Sequence, residues 1–241
     1  MRVAVLSDVH SNLHALEAVL ADVDAGCFDA LWFLGDLVGY GPRPNECAAL
    51  LQERAAICLA GNHDLVVLGR IPIDSFVGEA AAAARWTQKV LHENARSFLD
   101  ALEPQAVGPD VELLHGSPRD PVWEYVLGDE AAAAAFALTT APLVLIGHSH
   151  VALEISNGDD LRGGQAPAGT ELELGRLRRL LNPGSVGQPR DGDPRAAWLE
   201  IDIAAARATF RRTDYPVERT QDEMREAGLP EALAARLAFG V

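Results

Sequence analysis

Short apolar runs that end abruptly in polar residues alternate with helical patterns along the first sixty residues. The pattern predicts buried strands and intervening helices at Val3–Leu6, Asn12–Ala25, Leu31–Leu34, Asn45–Arg54 and Ala56–Leu59. This alternation is typical of an α/β fold with a parallel sheet. Ligand sites in such sheets lie beyond the carboxyl ends of the strands, so the residues that follow each strand are the first candidates for function.

The rest of the chain departs from this alternation. A helical pattern over about residues 74–103 interrupts the strands and predicts a helical insertion. Strands then return at Val111–Leu114, Leu143–Ile146 and Leu153–Ile155, after a turn-rich stretch at 157–170, and at Ala197–Ile203 and Ala208–Arg212. Their closer, hairpin-like spacing predicts a more antiparallel sheet that faces the first. Residues 217–241 predict a C-terminal helical appendage, split at Gly228-Leu229-Pro230, on a single domain that spans residues 1–241.

Composition and charge narrow the class of protein. The 241 residues include 20 basic and 35 acidic side chains, a formal net charge of −15, and 49% are hydrophobic. This is a globular composition, and its acidity disfavours nucleic-acid and anionic-membrane partners. Three cysteines without a C-x-x-C pair predict neither disulfides nor a zinc–thiolate site. Because the apolar start turns polar at Ser7 and the uncharged stretch 131–147 contains Pro142, we expect a cytoplasmic protein without a membrane span.

Histidines and aspartates follow the predicted strands in five blocks. The blocks are Asp8-Val9-His10, Gly35-Asp36, Gly61-Asn62-His63-Asp64, His115-Gly116 and Gly147-His148-Ser149-His150. Because the carboxyl ends of neighbouring strands meet at one edge of a sheet, these side chains are expected to converge. Carboxylates and imidazoles without thiolates suit Mn, Fe, Co, Ni or Zn ions. The ligands exceed what one tetrahedral ion needs, which favours a two-ion site able to hydrolyse a phosphate ester on an otherwise acidic protein.

The order of these blocks resembles the calcineurin-like metallophosphoesterase superfamily. Its pattern of D-x-H, G-D, G-N-H-[DE], a lone H and G-H-x-H is present in order across residues 8–150. The stretch from Asn182 to Arg190 is similar to the bacterial branch of small phosphodiesterases and diadenosine tetraphosphatases. The resemblance implies an α/β fold, specifically a four-layer αββα sandwich of two facing mixed sheets.

The resemblance also implies roles for individual residues. One divalent ion would be held by Asp8, His10, Asp36 and His150, and a second by Asp36, Asn62, His115 and His148. Manganese is the expected metal, with iron, nickel, cobalt and zinc left open. A hydroxide that bridges the ions would attack phosphorus. His63 would protonate the leaving group or steady a phosphoryl oxygen, and Asp64 would orient its imidazole.

One departure from the superfamily bears on the substrate. Its protein phosphatases carry G-D-x-V-D-R-G, whereas this chain has Gly35-Asp36-Leu37-Val38-Gly39-Tyr40-Gly41 and lacks both the second aspartate and the arginine. A protein phosphatase is therefore a disfavoured alternative. Arg43, Arg119 and Arg190 follow the motif loops and are candidates to bind phosphate instead.

Two functional hypotheses remain from the sequence. The first is an enzyme that hydrolyses small, nucleotide-like phosphate diesters or monoesters. The second is a non-catalytic interaction scaffold on the same fold. The presence of His63 beside the complete ligand series favours the enzyme. A nuclease is disfavoured because the acidic chain lacks a basic track for a long polyanion, and a homodimer formed through the helical insertion or the C-terminal helices is a further expectation.

Overall fold

The computed structural model describes residues 1–108 and 110–241, and their strands form two mixed six-stranded sheets. The first sheet contains β1 (Arg2–Leu6), β2 (Ala30–Phe33), β3 (Ile57–Cys58), β9 (Glu171–Glu173), β11 (Ala196–Asp202) and β12 (Arg207–Thr213), in the spatial order β3-β2-β1-β11-β12-β9. The second contains β4 (Gln105–Val107), β5 (Val111–Leu114), β6 (Leu143–Leu145), β7 (Ala152–Asn157), β8 (Leu161–Gln165) and β10 (Arg178–Pro183), in the order β4-β5-β6-β10-β7-β8.

The helices lie outside the two sheets. They are α1 (Leu13–Ala25), α2 (Pro44–Arg54), α3 (Asn62–Leu68), α4 (Gly78–Val90), α5 (Glu93–Asp100), α6 (Asp129–Leu138), α7 (Val217–Glu226) and α8 (Glu231–Arg236), with a short 3₁₀ turn at Ile73–Ser75. None of the helices in the described ranges is both long enough and apolar enough to cross a lipid bilayer.

Alternating side chains of the central strands build the layers. In β1, Val3 and Val5 point toward the second sheet and pack with residues such as Leu145 and Leu181. Ala4 and Leu6 point the other way and pack against the first group of helices. On the far side, the outer face of the second sheet packs against α6. The central strands are buried on both faces, and the result is the αββα sandwich that the family resemblance implied.

The assignment of strands to sheets differs from the prediction in one respect. The second half of the chain was expected to supply the facing sheet, but β9, β11 and β12 belong to the first sheet. The reason is that β11 pairs antiparallel with β1, with Val3 opposite Ile201 and Val5 opposite Leu199. The centre of the second sheet is in turn parallel, since β6 pairs parallel with both β5 and β10.

Some local elements also differ. The expected insertion at 74–103 is two helices, α4 and α5, because the backbone is extended at Leu91 and His92. The turn-rich stretch 157–170 contains the edge strand β8, and the short elements β4 and α3 were not predicted. The C-terminal helices α7 and α8 are separated at Gly228, whose positive φ of 71° ends the first of them.

Candidate metal centre

The seven predicted metal ligands meet where the two sheets end together. Each follows a strand closely, so the parallel pairs β1–β2 and β5–β6 bring the blocks to one edge of the sandwich. All of them are at most 3% exposed: Asp8, His10, Asp36, Asn62, His115, His148 and His150. We refer to these seven residues as the metal centre.

Two groups within this centre could each hold an ion. In the first group, ligand atoms of Asp8, His10, Asp36 and His150 all lie within 4.8 Å of one another. In the second, the same is true of Asp36, His115 and His148. Asn62 lies beside the second group, with its Oδ1 atom 3.1 Å from Nε2 of His115. Asp36 is common to both groups, which is the geometry needed for a carboxylate that bridges two ions.

The ligand atoms are close and face one another. Nε2 of His10 lies 2.9 Å from Nε2 of His150, which in turn lies 3.3 Å from Oδ1 of Asp8. Oδ2 of Asp36 lies 3.6 Å from Nε2 of His10 and 3.5 Å from Nε2 of His115. These separations are close to those between ligands that share one ion about 2 Å from each.

Hydrogen bonds to backbone carbonyls fix the tautomer of the imidazoles. Nδ1 donates to a carbonyl oxygen in three of them: His10 to Val38 at 3.1 Å, His115 to Leu34 at 2.9 Å and His150 to Gln188 at 2.7 Å. A carbonyl can only accept, so Nδ1 carries the proton and Nε2 offers its lone pair to the centre. His148 has the opposite tautomer. Its Nε2 donates to the carbonyl of Trp123 at 3.1 Å, which leaves Nδ1 as the ligand atom.

Buried atoms without partners test whether cations fit. Oδ1 of Asp8 and Oδ2 of Asp36 are fully buried, and neither accepts a hydrogen bond from any residue that the structure describes. Leaving a buried carboxylate oxygen unsatisfied costs roughly 1–3 kcal/mol or more, which a coordinated cation would offset. This donor set of carboxylates, neutral imidazoles and an amide fits divalent ions of the manganese-to-zinc series.

Burial also sets the charge of the ligands. It raises the pKa of Asp8 and of Asp36, the latter further because Asp64 and Asp8 are near. Burial lowers the pKa of His115 to about 3 and that of His148 to about 4, so both imidazoles are neutral at pH 7. Neutral imidazoles are ready to bind a cation, and a cation would displace the protons that burial favours on the carboxylates.

The backbone at the centre is held in unusual conformations. Positive φ angles occur at Asp8 (54°), His10 (48°), Asp36 (58°), His148 (65°) and His150 (59°). A non-glycine residue in this region costs on the order of 1–3 kcal/mol, and such strain persists where the surroundings impose it, often at functional sites. The conformation turns successive side chains inward just after each strand ends.

Comparison with known proteins agrees with this geometry. The sequence model for the calcineurin-like phosphoesterase superfamily domain matches residues 1–203. The chain belongs to this superfamily. An uncharacterized protein from Methanocaldococcus jannaschii is 35% identical over 249 residues, which cover 99% of this chain and 98% of that protein.

Solved structures show the same similarity. A metallophosphoesterase from Sphaerobacter thermophilus is 44% identical over the full length of both chains, with a TM-score of 0.91. A hypothetical protein from Pyrococcus horikoshii, 20% identical, shares the fold with a TM-score of 0.80 over 100% of this chain and 98% of that one. The similarity extends past residue 203, so these relatives include the segment that contains the C-terminal helices.

His63 lies beside the metal centre of this calcineurin-like domain but in neither ligand group. Its ring is 4.8 Å from that of His10, and 4.4 Å from those of Tyr40 and Phe76, measured between centroids. The ring is buried, and its Nδ1 atom has no hydrogen-bond partner within the described part of the chain. Nδ1 lies against Gly39, so a bound substrate would have to reach the ring through Nε2.

The carboxylate of Asp64 has hydrogen-bond partners other than the expected His63. Its carboxylate accepts hydrogen bonds from the backbone N–H groups of Leu37 (3.2 Å), Val38 (2.9 Å) and Gly61 (2.9 Å), and it has none with His63 among the described contacts. The sequence assigned Asp64 to orienting the imidazole of His63. In the structure, the carboxylate joins the loop after β2 to the loop after β3, because three converging amides satisfy it more fully than one ring nitrogen would.

The three candidate phosphate-binding arginines lie in different surroundings. Arg43 makes a bidentate ion pair with Glu223, and Arg119 makes an ion pair with Glu124. Arg190 alone of the three lies at the metal centre, where its Nη2 donates to Oε1 of Gln188 at 2.8 Å. Both Arg43 and Arg119 are thus occupied by carboxylates that a phosphate would have to displace.

Aromatic side chains border the centre. The ring of Tyr125 stacks on His148, 4.0 Å between centroids and 4° from parallel, although Tyr125 is 48% exposed. Trp123 is 36% exposed and meets Phe76 edge to face at 5.9 Å. We call Phe76, Trp123 and Tyr125 the aromatic rim. Sequence patterns could not separate Trp123 and Tyr125 from the core, since they lie in a loop without periodicity. Phe76 was expected within the helical pattern over 74–103, but it precedes α4.

Proposed function

We propose that this protein is a hydrolase of small, nucleotide-like phosphate esters that uses two divalent cations. The observation that carries the proposal is the pair of ligand groups that share Asp36, with the unpartnered His63 beside them. A metal site that only stabilises the fold needs no side chains other than the ligands. The additional buried imidazole, close to the ligands but outside both groups, is what a reaction would use.

The residues divide between holding ions and acting on substrate. Asp8, His10, Asp36 and His150 would hold one ion, and Asp36, Asn62, His115 and His148 the other. When bound, the ions would activate water as the nucleophile and neutralise phosphate charge. His63 would donate a hydrogen bond to a phosphoryl oxygen or a proton to the leaving group. The backbone N–H of His63 donates to Oδ1 of Asp36 at 2.8 Å and so keeps that carboxylate in place.

The aromatic rim supports a substrate with a flat organic group. Trp123 and Tyr125 expose large aromatic surfaces next to the ligands, which favours stacking with a nucleobase or another aryl group. The net charge of −15 disfavours a long polyanion, so a small nucleotide-like ester fits better than a nucleic acid. The three cysteines are free, which suits a reducing compartment such as the cytoplasm.

A glycine argues against a protein phosphatase. Gly39 stands where those enzymes have their second aspartate, and its φ is +89°. A Cβ atom at this position would lie 2.4 Å from Nδ1 of His63, so any larger residue would displace that ring. The histidine in this protein is therefore placed without the aspartate support that the protein phosphatases use.

The test is hydrolysis of bis(p-nitrophenyl) phosphate and p-nitrophenyl phosphate by protein that has been chelated and then reloaded with manganese. We expect turnover to return with metal, to be lost in Asp36→Asn, and to be retained in Asp159→Asn, an exposed control with the same chemical change. Diester turnover would indicate a phosphodiesterase and monoester turnover a phosphatase. Failure to hydrolyse either ester, or any nucleotide offered with them, would overturn the proposal in favour of an interaction scaffold.

A further inference from the structure

Two arginines share one hydrogen-bond acceptor next to the metal centre. Oε1 of Gln188 accepts from Nη2 of Arg190 at 2.8 Å and from Nη1 of Arg236 at 3.5 Å. Gln188 is 1% exposed, so the amide is held in place, and both guanidinium groups are half-buried. We call Arg190 and Arg236 the arginine pair.

The arginine pair makes no direct ion pair with an acidic side chain in the described ranges, although Asp8, Asp36 and Glu79 are near enough to interact with it electrostatically. Neither guanidinium has an Asp or Glu carboxylate within 4 Å among the residues that the structure describes, whereas Arg43, Arg119 and Arg212 each have one. Nε of Arg236 donates to the main-chain oxygen of Val241, the last residue of the given sequence. Nε of Arg190 is buried with no partner in the described ranges.

Two like charges in this position are unfavourable by themselves. Burial lowers the pKa of Arg236, and the nearby charge of Arg190 lowers it further. At ordinary pH both groups stay charged, so the repulsion between them persists. An anion between the two guanidinium groups would remove this repulsion and would supply an acceptor for Nε of Arg190.

The arginine pair lies directly beside the first ligand group. The carbonyl of Gln188 accepts from Nδ1 of His150, and the backbone N–H of Arg190 donates to the carbonyl of His150 at 3.0 Å. Arg190 also donates to the hydroxyl of Tyr40 at 3.4 Å. An anion on the pair would therefore be adjacent to a phosphate on the metal centre.

The C-terminal helices place the second arginine. Leu233 in α8 and Leu237 just after it are buried in one cluster with Met224 of α7 and Ala83 of α4, and Tyr40 packs against the same cluster. This packing brings Arg236 to Gln188, beside the metal centre, from a segment outside residues 1–203, to which the superfamily model is limited.

We propose that the arginine pair is a second anion site, which binds a phosphate group of the substrate other than the one that is hydrolysed. The preferred substrates are then nucleotides with at least two linked phosphates rather than simple monoesters. This inference rests on the proposed function, because it assigns the reacting phosphate to the metal centre.

The test compares ligands with one and two phosphates on manganese-loaded protein. Dissociation constants are measured by calorimetry for adenosine monophosphate and for the methylene-bridged analogue of adenosine diphosphate, which resists hydrolysis between its phosphorus atoms. Wild-type protein should bind the diphosphate analogue about tenfold tighter or more, as expected for one added charged hydrogen-bonding partner. Arg236→Gln should reduce this ratio to nearly one, and Arg236→Lys should restore part of it.

Arg219→Gln is the matched control, since it removes the same charge from an exposed position on α7 and should keep the wild-type ratio. Thermal melting of each variant checks that the fold is intact. A wild-type protein without preference, or an unchanged ratio in Arg236→Gln, would overturn the second anion site. If Arg236→Gln loses the preference for the diphosphate analogue while the wild type hydrolyses no ester, the result would support the anion site and contradict only the proposed function.

Discussion

The Nε2 atoms of His10 and His150 lie 2.9 Å apart, although the two residues are 140 positions apart in the sequence. Both rings use their Nδ1 proton on a backbone carbonyl, so two lone pairs face each other across this gap. Such a contact is repulsive in the absence of a cation and favourable around one. The two side chains are thus arranged as an ion that binds both of them would require.

Metal binding should therefore raise the stability of the fold. At 100 times the dissociation constant, a ligand that binds only the folded state adds about 2.7 kcal/mol, which corresponds to a rise of about 5–10 °C in Tm for a chain of this size. We expect manganese to produce such a shift in chelated wild-type protein, measured by differential scanning calorimetry. Asp36→Asn should abolish the shift and Asp159→Asn should retain it. An equal shift in Asp36→Asn would show that the metal binds elsewhere.

His63 should affect turnover and not metal content. Removal of a group that transfers a proton or stabilises developing charge costs about 10²–10⁴-fold in rate. His63→Ala is expected to lose activity within this range while elemental analysis still finds the wild-type amount of metal. His92→Ala, an exposed histidine at the start of α5, should behave like wild type in both measurements. A parallel fall of metal content and activity in His63→Ala would instead make His63 part of the metal site.

The ion pair between Asp191 and Arg212 should be important for stability because it joins the two sheets. Its side chains are 6% and 4% exposed, and Asp191 also accepts from the backbone N–H of Ala152, the first residue of β7. Breaking a buried pair costs about 3–5 kcal/mol, so Asp191→Ala should lower the free energy of unfolding by that order in urea titrations.

The control for this prediction is Asp193, two residues after Asp191 in the sequence. Asp193 pairs with Arg195, but these side chains are 30% and 42% exposed. Exposed pairs contribute less than about 1 kcal/mol, so Asp193→Ala should have a small effect. Equal losses in the two variants would contradict the importance of the buried pair.

Glu200 should make stability depend on acid pH. Burial alone would raise its pKa, but hydrogen bonds from Arg2 and Arg211 outweigh burial and lower it from the usual 4.5. A lowered pKa in the folded state means that the ion pairs stabilise the protein above about pH 4.5 and that this contribution is lost as the pH falls.

The corresponding measurement uses Glu200→Gln. We expect this variant to be less stable than wild type by about 1 kcal/mol at pH 7, with the difference shrinking as the pH is lowered through 4.5 toward 3. Urea unfolding at a series of pH values checks this. A difference that stays constant with pH would show that the charge of Glu200 does not stabilise the fold.

The convergence of the candidate ligands was predictable because these residues follow strands directly. In an α/β sheet, the direction of the strands alone determines where those residues go. Asp8 and Asp36 follow the adjacent parallel strands β1 and β2, and His115 and His148 follow β5 and β6. Strand direction alone brings the two members of each pair together, and the packing of the two sheets brings the pairs together.

Features that depend on pairing or packing between distant segments were not predictable. Residues 161–165, with two glycines, have the composition of a turn, yet Gly163 lies in β8, where an added Cβ would be 2.0 Å from the carbonyl oxygen of Glu154. Glycine is needed there for close contact between strands. The sequence did not single out Arg236, because only the packing of α8 on α4 and α7 brings it close to Gln188.

The metal centre draws its ligands from both halves of the sandwich. Asp8, His10, Asp36 and Asn62 follow strands of the first sheet, while His115, His148 and His150 follow strands of the second. Ions that bind all of these residues would hold the two sheets together at one end. Sliding of one sheet over the other by a fraction of an ångström would then spread the ligands apart, so substitutions far from the centre that loosen the contact between the sheets should weaken its hold on metal.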